Sequence, residues 1–303
     1  MSDSRVHSTK EFDAFGPWID EVHTVEDLPR LYRHAGIDPT AYRLVLKVPR
    51  DIERRNANPD MHLYDYLIAL DEETLTVMRR LDDTFGTVRL PLDRVAAIQD
   101  SVRLLSGRLT VHAVDGSETT VTYNGSAAAP IRNLIRLLRR RYLPQTPAAT
   151  TDAVPAESNL DRVDTGLLTD YRRLMESEPG LRLLNAAQRR LVVPASRLER
   201  LYRRFWPITL HASIAVTDDR EIQIIHRRDW FTPSGDDLSL ARTVLPRARI
   251  IEVTAHAHER YLGVHVVTVR AGAARLQFPA DAGPVTDALL ASFPGPARRA
   301  HAK

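Results

Sequence analysis

Polar and apolar positions alternate in short runs over most of the chain. Tyr42 to Val48 (YRLVLKV) alternates and stops at Pro49, and Tyr64 to Leu70 and Thr74 to Arg80 flank the polar triplet Asp71-Glu72-Glu73. Val88 to Leu92 and Arg94 to Gln99 follow, then Gly107 to Val114 and Glu118 to Tyr123 around Asp115-Gly116. A period of two marks strands with one buried face, and Asp-Gly between two such runs marks a tight hairpin. The pattern predicts about seven short strands. At Pro130 the period changes: Ile131, Leu134, Ile135, Leu138 and Tyr142 share one face of a helix, with Arg132, Arg136, Arg139 and Arg140 on the others.

Much of this plan occurs again. Leu191-Val192-Val193-Pro194 matches Leu46-Lys47-Val48-Pro49, and Leu198-Glu199-Arg200 matches Ile52-Glu53-Arg54. Ala215 to Asp218 falls where Ala69 to Glu72 did, Leu245-Pro246 where Leu90-Pro91 did, and Gly263 where Gly107 did. The hairpin Gly263 to Phe278 is followed by the apolar run Pro284 to Phe293, as Gly107 to Tyr123 is followed by Pro130 to Tyr142. An offset that drifts slowly along the chain means a duplication with small loop insertions.

Between the copies, PQTPAATTDAVPAESN is rich in proline and small residues and reads as a linker. The expected organisation is a tail and packed arm over 1–41, a first domain over 42–143, a linker over 144–165, a helical lead-in and second domain over 166–296, and a tail over 297–303. In the arm, Asp27 caps a short helix ending at Gly36, because Pro29 would fall inside a helix started at Thr24. Leu167 to Met175 is a further helix, ending before Pro179-Gly180.

The order "strand, polar turn, strand, Leu-Pro, strand, Gly-x-Leu hairpin, helix" resembles a bacterial pleckstrin-homology-like (PH-like) domain. The residues that carry the likeness are Tyr66 to Arg80, Leu90 to Gln99, Gly107 to Tyr123 and Ile131 to Leu138, with weaker counterparts from Ala212 to Phe293. The arm around Gly16-Pro17-Trp18 and the segment Val48 to Tyr66 also look like parts of an uncharacterised family of such proteins. The resemblance implies an α+β, mainly β chain: two tandem PH-like domains, each a bent antiparallel sheet closed by a C-terminal helix. It brings no catalytic motif. PH domains elsewhere commonly bind phosphoinositides or peptides, but a fold does not carry its ligand with it.

Composition narrows the function classes. The 303-residue chain has no cysteine, which removes disulfides, thiolate metal sites and cysteine nucleophiles. With a polar start, MSDSRVHSTK, and no run approaching the length of a membrane span, it is expected in the cytoplasm. Lysine occurs only at 10, 47 and 303, so 39 of 42 basic residues are arginine, and 39 acidic residues offset them. Bulk charge therefore gives no sign of a nucleic-acid partner, and only local clusters carry information. Gly-rich phosphate loops, Gly-x-Ser-x-Gly, His-Glu-x-x-His and calcium-loop patterns are absent, so neither an enzyme nor a cofactor is expected.

Five stretches remain as candidate sites. Ser196 to Phe205 forms a helix with an apolar stripe at Leu198, Leu201, Tyr202 and Phe205 and a capping box at Ser196 and Glu199. Its Arg197, Arg200, Arg203 and Arg204 either bind lipid headgroups or phosphate, or form the solvated face of a docked helix. Arg136, Arg139, Arg140 and Arg141 complement the C-terminal dipole of their helix. The loop holding Arg50, Arg54, Arg55, Asp60 and His62 is either a binding loop or a salt-bridged connection. His256 and His258 share a face if their strand is regular, with Glu252 beside them, and make a weak metal candidate that still wants a third ligand. In the second hairpin, His265, Val267 and Val269 make a second apolar face, which implies cover from the first domain, the arm or another subunit. The reading is a non-enzymatic binding or scaffolding protein acting through protein contacts, including self-association. Peripheral binding to an anionic membrane through the arginine clusters is the alternative.

Overall fold

The structure is a computed structural model that describes residues 9–142, 164–203, 205–233, 237–281 and 297–299. It is mainly β, with antiparallel sheets and a few helices. The chain divides into two compact units. Unit 1 holds residues 1–95, 104–109 and 119–142; unit 2 holds 96–103, 110–118 and 143–303. The last break, between 142 and 143, lies beside the boundary expected near residue 144. Two pieces of the first half, 96–103 and 110–118, belong to unit 2.

Unit 1 contains a five-stranded sheet in the order β1 (Asp20–Glu21), β2 (Leu44–Pro49), β3 (Tyr64–Leu70), β4 (Thr74–Leu81), β5 (Thr84–Pro91), antiparallel throughout. Alternation sends Val45, Leu67, Ala69 and Met78 into one core, where Phe15, Val22, Leu28, Tyr32 and Ile37 of the arm meet them. Helix α1 (Lys10–Ala14) is capped by the Thr9 side chain. The arm is otherwise not the helix expected from Asp27 to Gly36. In place of that helix are two 3-10 turns, Val25–Asp27 and Arg30–Tyr32, because Pro29 sits between them with an extended ψ of 138°, and a third, Pro39–Ala41, leads into β2. The Thr24 hydroxyl does reach the Asp27 carboxylate, at 2.9 Å. Helix α2 (Ala128–Tyr142) lies against the 3-10 turn Leu92–Arg94 and buries Ile131, Leu134, Ile135 and Leu138, the stripe predicted from its spacing.

The strands β6 (Val95–Arg103), β7 (Ser106–Ala113) and β8 (Glu118–Asn124) complete the first half of the sequence. β6 pairs antiparallel with β15 (Leu240–Pro246), from Leu240↔Val102 to Val244↔Ile98. Beyond β15 the sheet continues through β13 (Glu221–His226) and β12 (Ser213–Thr217) to β9 (Arg182–Ala187). Facing it is a second sheet in the order β19 (Ala274–Asp281), β18 (Val264–Ala271), β16 (Glu252–Ala257), β20 (Ala297–Arg299). Between the two lies a core to which both contribute: Ala97, Ile222, Ile224 and Leu245 from one, Val253, Val267, Val269 and Phe278 from the other. Helix α3 (Thr165–Ser177) covers the opposite face of the first sheet, setting Leu167, Tyr171 and Leu174 on Ile214, Val216 and Ile225.

The same order of elements thus occurs twice: β3, β4, β5, a 3-10 turn after Leu90-Pro91, β6, β7, β8; then β12, β13, β15, a 3-10 turn (Arg247–Arg249) after Leu245-Pro246, β16, β18, β19. One sequence match is corrected. The strand that flanks β12 as β2 flanks β3 is β9, whereas Leu191 to Pro194 lies in β10 (Arg190–Pro194), part of a separate small sheet ordered β14 (Phe231–Thr232), β11 (Ile208–Leu210), β10, β17 (Tyr261–Leu262). A motif with two apolar residues in a row fits any strand, and only pairing distinguishes them. The expected second closing helix, Pro284 to Phe293, lies outside the described residues, as do 1–8 and 143–163. Ala297 to Arg299, expected in a tail, pairs parallel to β16.

The two hairpin tips meet within unit 2. Ala273 donates its backbone N–H to Val114 O at 2.7 Å, and Gly272, at φ +66°, turns so tightly there that a Cβ would stand 2.2 Å from the same oxygen. Gly272→Ala would pay both the left-handed strain and this overlap, so we expect it to destabilise the protein by about 2 kcal/mol or more. Denaturant titration would check this; a loss below about 0.5 kcal/mol, as for an ordinary surface site, would show that the tips are not in contact.

Candidate functional site

Helix α4 (Arg197–Arg203) is oriented opposite to expectation. An amphipathic helix normally turns its apolar stripe inward. Here Leu198, Leu201, Tyr202 and Phe205 are 83%, 70%, 61% and 73% exposed. The inward side carries ions instead: Glu199 accepts from Arg260 Nε at 2.8 Å and lies 3.7 Å from Arg203. Arg260 holds the Glu199 carboxyl below its ordinary range. A further tie runs from Ala195 N to Arg260 O at 2.9 Å. The expected capping contact is present but long, Glu199 N to Ser196 Oγ at 3.4 Å, and the Glu199 carboxylate is committed to Arg260.

The outward face continues past the helix. Trp206 is exposed and stacks on Tyr202 with centroids 5.2 Å apart, while Phe205 meets it edge-on at 6.2 Å. Leu191 and Val193 of β10 and Leu262 of β17 are also exposed, because alternation turns Val192 into the core with Ile208, Leu210 and Tyr261. Arg197 and Arg200 are exposed beside this surface. Arg200 reaches Ala195 O at 3.3 Å, and Arg203 lies 5.9 Å from the Tyr202 ring. Arg204 lies outside the described residues.

The other candidates resolve differently. Arg54 donates to Phe15 O and stands over the Phe12 ring at 4.4 Å; Arg50 donates to His62 O at 3.3 Å and lies 4.0 Å from Asp65. Arg55 pairs with Glu53, Asp60 is exposed in a turn closed by Asn58, and His62 approaches Asp83 at 3.8 Å. These side chains tie the loop and the arm together and leave no convergent set of donors. Along α2, Arg136 bonds Asn133 at 2.7 Å and Arg141 lies 3.9 Å from Glu72. His258 follows the last residue of β16, with its N–H still bonded to Val264 O at 2.8 Å, and its ring packs on Phe231 and Tyr261. Glu252 is taken by Arg270 at 2.7 Å. Among the described residues no group of three or more His, Asp or Glu could hold a metal ion.

The second apolar face of the hairpin is covered, as expected, and Ala97 from the first half of the sequence belongs to the cover along with Ile222, Ile224 and Leu245. Val267 and Val269 are 1% and 0% exposed in the core of unit 2, covered by the facing sheet of that same unit, and His265, on the same face of β18, is half-buried.

Two buried polar sets went unrecognised in the sequence. His226 stacks on Trp230 at 4.5 Å, and its Nδ1 lies 2.6 Å from Arg227 O. A carbonyl only accepts, so Nδ1 carries the proton, and Nε2 accepts from the Thr243 hydroxyl at 3.0 Å. Burial pushes His226 down to about 4. On the α3 side, Gln223 donates to Glu178 at 2.9 Å and Arg242 bonds the same carboxylate at 3.0 Å. The usable signal was alternation in EIQIIH, whose polar members stand between residues that are all buried. Both ring nitrogens of His226 have partners, whereas Gln223 Oε1 and Arg242 Nε are buried with none among the described residues, and the outward face of α4 gathers Leu198, Leu201, Tyr202, Phe205 and Trp206, all exposed. No protein-family model matches this chain, and no curated protein matches it.

Proposed function

We propose that the chain is a non-enzymatic binding or scaffolding protein of two PH-like domains, acting in the cytoplasm through protein–protein contacts, with the outward face of α4 as a contact surface. The observation that carries this is the inverted helix. Its ionic side is spent on Arg260, and its stripe of Leu198, Leu201, Tyr202, Phe205 and Trp206 faces outward. Burying one such side chain against a partner contributes roughly 1.5 to 3 kcal/mol, and aromatic and arginine side chains dominate protein interfaces. The succession β2 to β5, β6 to β8, then α2 supports the PH-like reading of the first half.

A second reading, attachment to an anionic membrane, is favoured by one feature: exposed Arg197 and Arg200 beside Trp206 and Tyr202, residues suited to a lipid headgroup layer. One experiment separates the two. A photo-activatable residue in place of Leu201 should give a discrete protein adduct in cells, which Phe205→Ser weakens at least about tenfold. Adducts to lipid alone, with flotation on phosphatidylglycerol vesicles that Arg197→Ser and Arg200→Ser abolish, would assign the surface to a membrane. Absence of both kinds of adduct would remove α4 from the function.

A further inference from the structure

β15 and β5 occupy the same place in the two repeats, each ending in Leu-Pro before a 3-10 turn. The outer edge of β15 is occupied by β6 over five residue pairs. β5 is the end strand of its sheet, and no described strand pairs with its outer edge. Thr84, Thr87, Val88 and Arg89 are exposed there, and the strand carries one charge and no lysine, so its edge has little protection against pairing. The counterpart of β6 is β16, whose edge away from β18 carries, among the described residues, the three residue pairs of the parallel strand β20, Val253↔Ala297 to Ala255↔Arg299.

The backbone phases of the two edges match. Leu92 N donates to Glu73 O at 2.7 Å, continuing the β4–β5 register, so Leu90, Val88 and Gly86 also point their N–H groups at β4. Phe85, Thr87 and Arg89 then point theirs outward. On β16, His258 N donates to Val264 O at 2.8 Å, which directs His256 and Thr254 toward β18 and leaves Val253, Ala255 and Ala257 facing outward. Transferring the β15–β6 register through the Leu90/Leu245 match sets Phe85 opposite Ala257, Thr87 opposite Ala255 and Arg89 opposite Val253. Each is a pair whose members both present outward N–H and C=O groups, as an antiparallel hydrogen-bonded pair requires.

We propose that β5 of one copy pairs antiparallel with β16 of a second copy in this register, displacing β20, so that the chain self-associates head to tail. The contact repeats between molecules the one that β15 and β6 make within unit 2. Because it joins two different edges it is heterologous, and it leaves a free β5 at one end and a free β16 at the other. β20 acts as a competing strand that holds β16 in the single molecule.

Sedimentation velocity on the full chain over a range of concentrations tests this. The expected result is mass that grows with concentration past the dimer. Arg89→Pro removes an outward N–H and none of the β4 ladder donors, so it should abolish growth with an unchanged far-UV spectrum; Val88→Lys, at an exposed position, should weaken it if the proline variant does not fold. Arg298→Pro weakens β20 and should shift the onset to concentrations about three- to tenfold lower. A monomer at every concentration in both the unaltered chain and Arg298→Pro, a species that stops at dimer, or growth that survives Arg89→Pro and Val88→Lys would each overturn the proposal. None of these variants touches α4, so its failure leaves the proposed function standing.

Discussion

Val267→Arg should prevent unit 2 from folding, with a loss on the order of 4 kcal/mol or more. Val267 is 1% exposed, stands opposite Ala255 on β16 and Phe278 on β19, and faces the sheet that carries Ile222, Ile224 and Leu245. A guanidinium placed there would be surrounded by apolar side chains from two sheets, and no carboxylate belongs to that cluster. Its neighbour Val266 points to the other side of β18 and is only half-buried, so Val266→Arg should cost less than about 1 kcal/mol. Denaturant titration and soluble yield of the two variants make the comparison. Equal tolerance would mean that β18 does not sit in a sandwich, and a Val267→Arg protein of unchanged stability but altered solution mass would assign the cover of that face to another subunit.

That pair also marks where the sequence stops being informative. The alternation of Gly263 to Val269 correctly says that β18 has a face that must be covered. It is silent on what covers it, because the covering residues, from Ala97 to Leu245, are brought there by strand pairing over long separations. Strand positions were legible for the same reason: Tyr64–Leu70 is recovered residue for residue, and the Ile131, Leu134, Ile135 and Leu138 stripe is buried as its spacing requires. Edges were not. Nothing in IQDSV distinguishes a strand that ends a domain from one that pairs with β15, since backbone hydrogen bonds leave no mark on side-chain pattern.

For α4 the sequence grouped the residues of the stripe, and the structure turns that stripe outward. Leu198, Leu201, Tyr202 and Phe205 do form one stripe, and Arg197 and Arg200 do lie beside it. Periodicity fixes which side chains share a face and not which way the face turns. The deciding contact is Glu199 with Arg260, 61 residues apart in sequence, which anchors the charged side inward. The histidines show the complementary failure. His256 and His258 drew attention by spacing, whereas His226, at the end of a strand whose every residue is buried, has the strongly altered chemistry.

That chemistry sets a pH dependence. In the unfolded chain His226 titrates near 6.5, while in the folded protein burial holds it at about 4. Above about pH 6.5 both states carry neutral imidazole and the contribution is complete. As pH falls below that, the unfolded state binds a proton that the folded state refuses until about 4, so stability drops across this window by up to about 3 kcal/mol. His112, His211 and His258 are also shifted down by burial and add to the loss in the same direction. The lowered carboxylates Asp27, Asp38, Glu199 and Asp237 act in the same sense but at lower pH, since their ordinary values already lie at or below 4.5. Guanidinium midpoints measured at pH 7.5, 6 and 5 should therefore fall steadily well before the carboxylates titrate. His226→Gln keeps a donor for Arg227 O and an acceptor for Thr243 without the titration. It should be less stable than the parent at pH 7.5 by about 1 to 2 kcal/mol and distinctly flatter in its pH dependence. A variant slope as steep as the parent's would assign the acid sensitivity to other groups and leave the buried ring of His226 with a packing role alone.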